Sequence, residues 1–148
     1  NRLMGGRFAP DWVEPVSSPR KQLGAEKVWV VHGDGFDEIP TAGATKVSAL
    51  TDGQVTSFAI TPEEVGLPRH KREDLRGGDA AYNAGALRDM LAGAAGAYRD
   101  TVLMNAGAGL VVAGKATTLA DGMASAAQAI DSGRALQVLE RLVEISNE

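Results

Sequence analysis

The chain has 148 residues, 44% of them apolar, with a formal net charge of -4 and no cysteine. That length fits one domain with room for a core, and the charge gives no general attraction for nucleic acid or an acidic membrane surface. The missing thiols exclude disulfides and thiolate chemistry and are compatible with a reducing cytoplasm, while no window approaches the roughly 18 consecutive apolar residues of a membrane span.

Asn1-Arg2-Leu3-Met4 lacks the basic-then-apolar layout of a signal peptide. It also starts mid-pattern without an initiator methionine, so we expect an upstream portion. Residues 1–26 read as a lead-in with a short helix, Pro10 at its first position and Trp12, Val13 and Val16 as its apolar face. Lys27-Val28-Trp29-Val30-Val31-His32 is a β-branched and aromatic run ended by glycine, as expected of a strand buried on both faces in a parallel sheet. Runs from Thr45 to Leu50 and from Gln54 to Ile60 flank Thr51-Asp52-Gly53, a hairpin signal. Thr61-Pro62-Glu63-Glu64 reads as a helix start with Thr61 as cap, stopped within about a turn by Gly66 and Pro68. His70-Lys71-Arg72-Glu73-Asp74 reads as a charged, solvated loop.

The second half is helical. Asp79 caps a segment through Leu91 whose stripe is Ala84, Leu87, Met90 and Leu91. Asp100 is expected to cap a second helix through about Ala113, nearly free of charge and therefore buried all round. Thr118 with Asp121 approximates a capping box for a third, ending at Ser132-Gly133. A fourth runs from Arg134 to about Ile145, with Leu136, Val138, Leu139, Leu142 and Val143 expected to face the core. Eighteen glycines and few aromatics suit an α/β protein with tight turns and close helix contacts.

The chemistry gathers after the apolar strand. Ligands of open α/β sheets collect beyond the carboxyl ends of strands, and here the chain passes into Asp34-Gly35-Phe36-Asp37-Glu38. Magnesium takes one or two protein carboxylates and fills its other positions with water and phosphate oxygens. Asp37 and Glu38 would point to opposite faces of a regular strand, so both reach one ion only if the backbone turns, which Gly33 and Gly35 permit. Spacing alone leaves two readings open, a metal site and an acidic turn in solvent, and acidic turns are the commoner. Asp34 precedes glycine and reads as a turn former. His32 reads either as a general base or carboxylate-orienting group, or as a satisfied structural residue at a strand end.

Gly77-Gly78-Asp79 offers backbone N–H groups to phosphate, or serves as a plain lead into an Asp-capped helix, and it lacks the Gly-Lys-Ser/Thr ending of a P-loop. Gly107-Ala108-Gly109 reads as close backbone approach in packing. Asn105, with Thr101 the main polar group of an uncharged helix, reads as bonding loop backbone from inside or satisfying a buried carbonyl. His32 and His70 have no zinc-like spacing.

Together these segments resemble anthranilate phosphoribosyltransferases. The resemblance runs through Val30-Val31-His32-Gly33-Asp34-Gly35-Phe36-Asp37-Glu38-Ile39, Thr45-Lys46-Val47, and Ile60-Thr61-Pro62-Glu63 with Gly66-Leu67. It continues through Gly77-Gly78-Asp79 with Asn83-Ala84, Val102-Leu103-Met104-Asn105-Ala106 and Ala129-Ile130-Asp131-Ser132-Gly133, covering nearly all of the chain from Phe8. It implies an α/β fold in which residues 1–148 are the C-terminal part of a nucleoside phosphorylase/phosphoribosyltransferase-type catalytic domain, a sheet flanked by helices, joined to a smaller helical domain. The implied reaction transfers phosphoribosyl from phosphoribosyl pyrophosphate to anthranilate in tryptophan biosynthesis. Asp37 and Glu38 are then the ligands of the magnesium that accompanies the pyrophosphate. The resemblance further implies a cytoplasmic homodimer when complete, with no membrane or nucleic-acid partner.

The sequence departs from the family in lacking its Gly-Thr-Gly-Gly-Asp phosphate loop and its upstream helical domain, so we expect the 148 residues alone to be inactive. Pro40 stands where a small hydroxylated residue is usual, Ala44 where proline is common, and Gly107 and Gly109 where alanines are usual. Two other readings stand beside the first: a nucleoside phosphorylase-like enzyme, which the Asp-Glu pair argues against, and a non-catalytic nucleic-acid-binding paralogue, which would need a basic surface.

Overall fold

The computed structural model describes residues 1–7 and 24–148, so the short helix expected around Pro10 and Trp12 lies outside the described residues. Strands β1 (Arg2–Gly6), β2 (Lys27–His32), β3 (Thr45–Thr51) and β4 (Gln54–Ile60) form one sheet in that order. β1 pairs parallel with β2, and the other two pairings are antiparallel. The sheet is therefore mixed. β1 departs from the lead-in expected there: Arg2-Leu3-Met4-Gly5-Gly6 has no β-branched residue, and its ladder with β2 makes it a strand.

β2 is buried on both faces, as its unbroken apolar run requires. Trp29 and Val31 join Val47, Ala49 and Ile60 under the helices, while Val28 and Val30 join Leu50 in a smaller cluster on the opposite face. Asp52 (φ 49°) and Gly53 (φ 79°) both adopt the positive φ that a two-residue hairpin turn demands. Beyond the hairpin, Glu63–Val65 is a single 3-10 turn. Its Glu64 carboxylate accepts the Thr61 N–H at 2.8 Å, and Gly66 ends it at φ 78°.

Four helices follow: α1 (Ala80–Leu91), α2 (Ala97–Val112), α3 (Leu119–Asp131) and α4 (Arg134–Ser146). Asp79 caps α1 by accepting the Tyr82 N–H, and Thr118 with Asp121 forms a reciprocal capping box on α3, both as expected. α2 begins earlier than expected. Gly96, at φ 135°, is its cap, and Asp100 lies inside the first turn, where its carboxylate is held by His70. Nor is α2 buried all round, since Tyr98 and Ala106 are exposed, but Met104 and Ala108 are wholly buried beneath the sheet.

α2 and α3 meet through glycines. A Cβ on Gly107 would stand 2.8 Å from the Met123 nitrogen, and one on Gly122 2.5 Å from the Gly107 carbonyl oxygen. Gly109 meets nothing within 4 Å, so the close-packing role belongs to Gly107 alone. α4 corrects a further expectation. Leu136 and Leu139 are half-buried, whereas Val138, Leu142 and Val143 are exposed, because no described surface lies against that stripe. Among the described residues no helix is long and apolar enough to cross a membrane.

Candidate functional site

β2 ends in His32, which is buried and whose Nδ1–H donates to the Arg7 carbonyl at 2.8 Å. That bond ties the end of β2 to Arg7, just past β1, as the structural reading of His32 expects. The next four residues reverse direction. Gly33 and Phe36 exchange N–H···O bonds of 3.1 Å in each direction, with Asp34 (φ 50°) and Gly35 (φ 91°) between them. This is a two-residue turn of the hairpin type. Asp34 is its first central residue, as the Asp-Gly pair indicates. Asp37 and Glu38 leave the turn beside the carboxyl ends of the parallel pair β1 and β2.

The backbone carrying these two acids is fixed from several sides. Gly6, the last residue of β1, lies so near that a Cβ there would sit 1.2 Å from the Asp37 carbonyl oxygen. A Cβ on Gly33 would meet the Pro40 ring at 2.1 Å and the Glu38 carbonyl oxygen at 2.6 Å. Pro40 is thus packed on glycine, and it shapes the exit of the loop. Immediately after Glu38, the Asn105 side chain reads both polar groups of Ile39. Its Oδ1 accepts the Ile39 N–H at 3.0 Å, and its Nδ2 donates to the Ile39 carbonyl and to the Thr101 carbonyl, each at 2.8 Å. Asn105 therefore bonds loop backbone from within α2, the first of its two sequence readings. Thr41 adds a hydroxyl contact with Thr101 at 2.9 Å.

Both carboxylates face solvent. Even so, partial enclosure of the Glu38 carboxyl pushes its pKa above the ordinary 4.5, and the adjacent Asp37 charge pushes the same way. The ion-paired acids among the described residues are Glu26, Glu63, Asp100, Asp131 and Glu144, so neither Asp37 nor Glu38 is paired with a cationic side chain of a described residue. Among the described residues no cluster of three or more His, Asp or Glu side chains is placed to hold a metal. Two adjacent, unpaired oxygen donors that repel one another fit a hard divalent cation whose remaining ligands are water and phosphate oxygens. They do not fit zinc or another ion that needs a closed protein cage.

The charged stretch after Pro68 is more than solvated surface, and this is where the sequence reading fell short. His70 donates its backbone N–H to the Thr41 carbonyl at 3.0 Å, and its Nε2 lies 2.7 Å from Asp100 Oδ2 on α2. Arg72 opens a 3-10 turn (Arg72–Leu75), lays its guanidinium over the Phe36 ring 4.7 Å from the centroid, and donates to the Asp34 carbonyl oxygen. The Gly-Gly-Asp segment, by contrast, is the plain helix lead-in. Asn83 occupies both polar groups of Gly78 at 2.9 and 3.0 Å, and Asp79 caps the helix.

Residues 2–136 match the model of the glycosyl transferase family, a/b domain. The chain is 72% identical over 146 residues to the anthranilate phosphoribosyltransferase of Mesorhizobium japonicum, an alignment that covers 99% of this chain and 44% of that protein. Its fold superposes on the crystal structure of anthranilate phosphoribosyltransferase from Thermus thermophilus with a TM-score of 0.85 at 38% identity, covering 97% of this chain and 42% of that one. A Saccharomyces cerevisiae anthranilate phosphoribosyltransferase in complex with PRPP and Mg shares the fold at a TM-score of 0.84 and 23% identity, over 97% of this chain and 42% of that one. The chain spans less than half the length of each.

Proposed function

Since the chain belongs to the glycosyl transferase family, as its a/b domain, we propose that it supplies the magnesium-binding part of an anthranilate phosphoribosyltransferase. The observation that carries this reading is the adjacent Asp37–Glu38 pair, without an ion-pair partner among the described residues and on a backbone packed by Gly6, Gly33 and Asn105. The 72% identity to a curated relative of that activity supports it. Phosphoribosyl transfer breaks the bond between the ribose and pyrophosphate, so positive character grows on the sugar and negative charge on the leaving group. When bound, magnesium neutralises that negative charge and orients the donor.

The protein's own part is positional. Asp37 and Glu38 present oxygen donors without acting as nucleophiles. Asn105 holds the backbone next to Glu38, so the donors keep their places as charge develops. The anthranilate amine is the attacking group, and no proton acceptor need be sought in this stretch. On this reading phosphoribosyl pyrophosphate and anthranilate are the ligands of the complete protein. The resemblance supports a homodimer in the cytoplasm.

The test is the rate of pyrophosphate release by the complete protein supplied with anthranilate, phosphoribosyl pyrophosphate and magnesium. Asp37→Asn together with Glu38→Gln is expected to lower that rate roughly 100-fold or more. An unchanged rate removes the metal role, and nucleoside cleavage in place of anthranilate turnover moves the protein to the phosphorylase reading.

A further inference from the structure

On the reading of Asp37 and Glu38 as metal ligands, we propose that Arg72 is a positioning residue that sets the shape of the ligand-bearing loop. Its guanidinium makes two contacts with the turn that delivers the carboxylates. One is edge-on, an N–H donated to the Asp34 carbonyl oxygen, and the other is face-on, over the Phe36 ring at 4.7 Å. A planar guanidinium can do both at once, because its donors lie in the plane and its cationic face lies across it. The turn sits under the same group, for a Cβ on Gly35 would stand 3.2 Å from Arg72 Nη2.

Arg72 is itself anchored. Lys71 donates its backbone N–H to the Asp74 carboxylate at 3.0 Å, closing the 3-10 turn that begins at Arg72. Two residues earlier, His70 is bound to Asp100 on α2 and to the Thr41 carbonyl. Asp100 and Asn105 belong to one helix. α2 therefore holds the loop on its Ile39 side through Asn105 and on its Asp34 side through His70 and Arg72. Asp37 and Glu38 lie between the two clamps. With Glu73, Leu75, Arg76 and Phe36, Arg72 also walls a cavity of about 330 Å³ beside the loop, so this side of the loop stays open to solvent. Without the guanidinium, nothing else among the described contacts bridges the Asp34-Gly35 tip to the rest of the fold, so the turn that leads into the carboxylates loses its outer tether while Gly6, Gly33 and Asn105 still hold the stretch that follows.

The test uses the complete protein and Mn2+ as a paramagnetic stand-in for magnesium. Bound ion is read by electron paramagnetic resonance in the presence of phosphoribosyl pyrophosphate, and thermal melts monitor folding. Arg72→Leu is expected to weaken Mn2+ binding about 10-fold, as loss of a group that orients metal ligands typically does. The magnesium concentration for half-maximal turnover should rise by a similar factor, with kcat at saturating magnesium nearly kept. Arg72→Lys should recover only part of the affinity, because an ammonium cannot serve ring and carbonyl together. Phe36→Leu should weaken binding as well, and combined with Arg72→Leu it should add little. Unchanged Mn2+ affinity in Arg72→Leu, alongside its loss in Asp37→Asn/Glu38→Gln, overturns the positioning role and leaves the metal site standing. If the carboxylate variant binds Mn2+ as the wild type does, the metal reading falls and the role of Arg72 with it.

Discussion

The Glu38 carboxyl is held above its ordinary pKa of 4.5, first by partial burial and then by the charge of Asp37. A carboxyl whose pKa is raised by folding binds its proton more tightly in the folded chain than in the unfolded one. Above the folded value it is ionised in both states, and the folded state then carries a charge it disfavours. Below 4.5 it is protonated in both, and the disadvantage is gone. We therefore predict that Glu38→Gln stabilises the metal-free protein at pH 7. The gain should stay below about 1 kcal/mol, because solvent screens an exposed carboxyl. Melting in a chelator across pH 4 to 8 should show the difference in Tm shrinking as pH falls through the Glu38 value. A variant that melts lower at pH 7 would contradict the assignment of strain to this residue. The residue types of this site were legible in the sequence, and so was Asn105, conspicuous as an amide in an uncharged helix. Arg72 was not, because its partner Asp34 lies 38 positions away and a run of charges looks the same whether it is solvated or clamped.

Among the elements, α2 makes its close contact with α3 through Gly107 and not through Gly109. A Cβ on Gly107 would come within 2.8 Å of the Met123 nitrogen and 2.9 Å of Met123 Cγ, whereas one on Gly109 would meet nothing within 4 Å. Gly107→Ala must push two helices apart and is expected to destabilise by about 1–3 kcal/mol. Gly109→Ala only removes a flexible residue from a helix and should stabilise by about 0.5–1 kcal/mol. Urea denaturation midpoints decide it, and a loss of equal size at both positions would show that helix–helix distance is not the cause. From sequence both glycines read as packing residues, since helical spacing shows which positions share a face but not which one another backbone reaches. The elements specified locally were read well: the Asp52-Gly53 hairpin, the Asp79 cap and the Thr118–Asp121 box each depend on residues a few positions apart. β1 was missed for the opposite reason, since Arg2–Gly6 is a strand only by virtue of its ladder with Lys27–Val31.

For the whole molecule, the same distinction between pattern and partner governs α4. Its sequence is amphipathic, and from that pattern its apolar stripe was assigned to the core. The fold places that core instead between the sheet and α2 and α3, around Met104 and Ala108, and leaves Leu142 62% exposed. Periodicity shows that a helix has an apolar side but carries no information about what covers it. Ala135 packs against the core, and Leu136, Leu139 and Val143 line a groove with Arg88 of α1 and with Ala92, the residue that follows it. In the 148-residue chain, Leu142→Ala is accordingly expected to change stability by less than about 0.5 kcal/mol. Met104→Ala, at a position with no solvent exposure, should cost about 2–5 kcal/mol, from lost burial plus the cavity left behind. Chemical denaturation of the two variants beside the unmodified chain measures both. Equal losses would mean that α4 turns its stripe into the core in solution. A small loss in this chain and a larger one in a complete protein, of which the chain matches 44% in its Mesorhizobium relative, would show that the stripe is covered by the remainder.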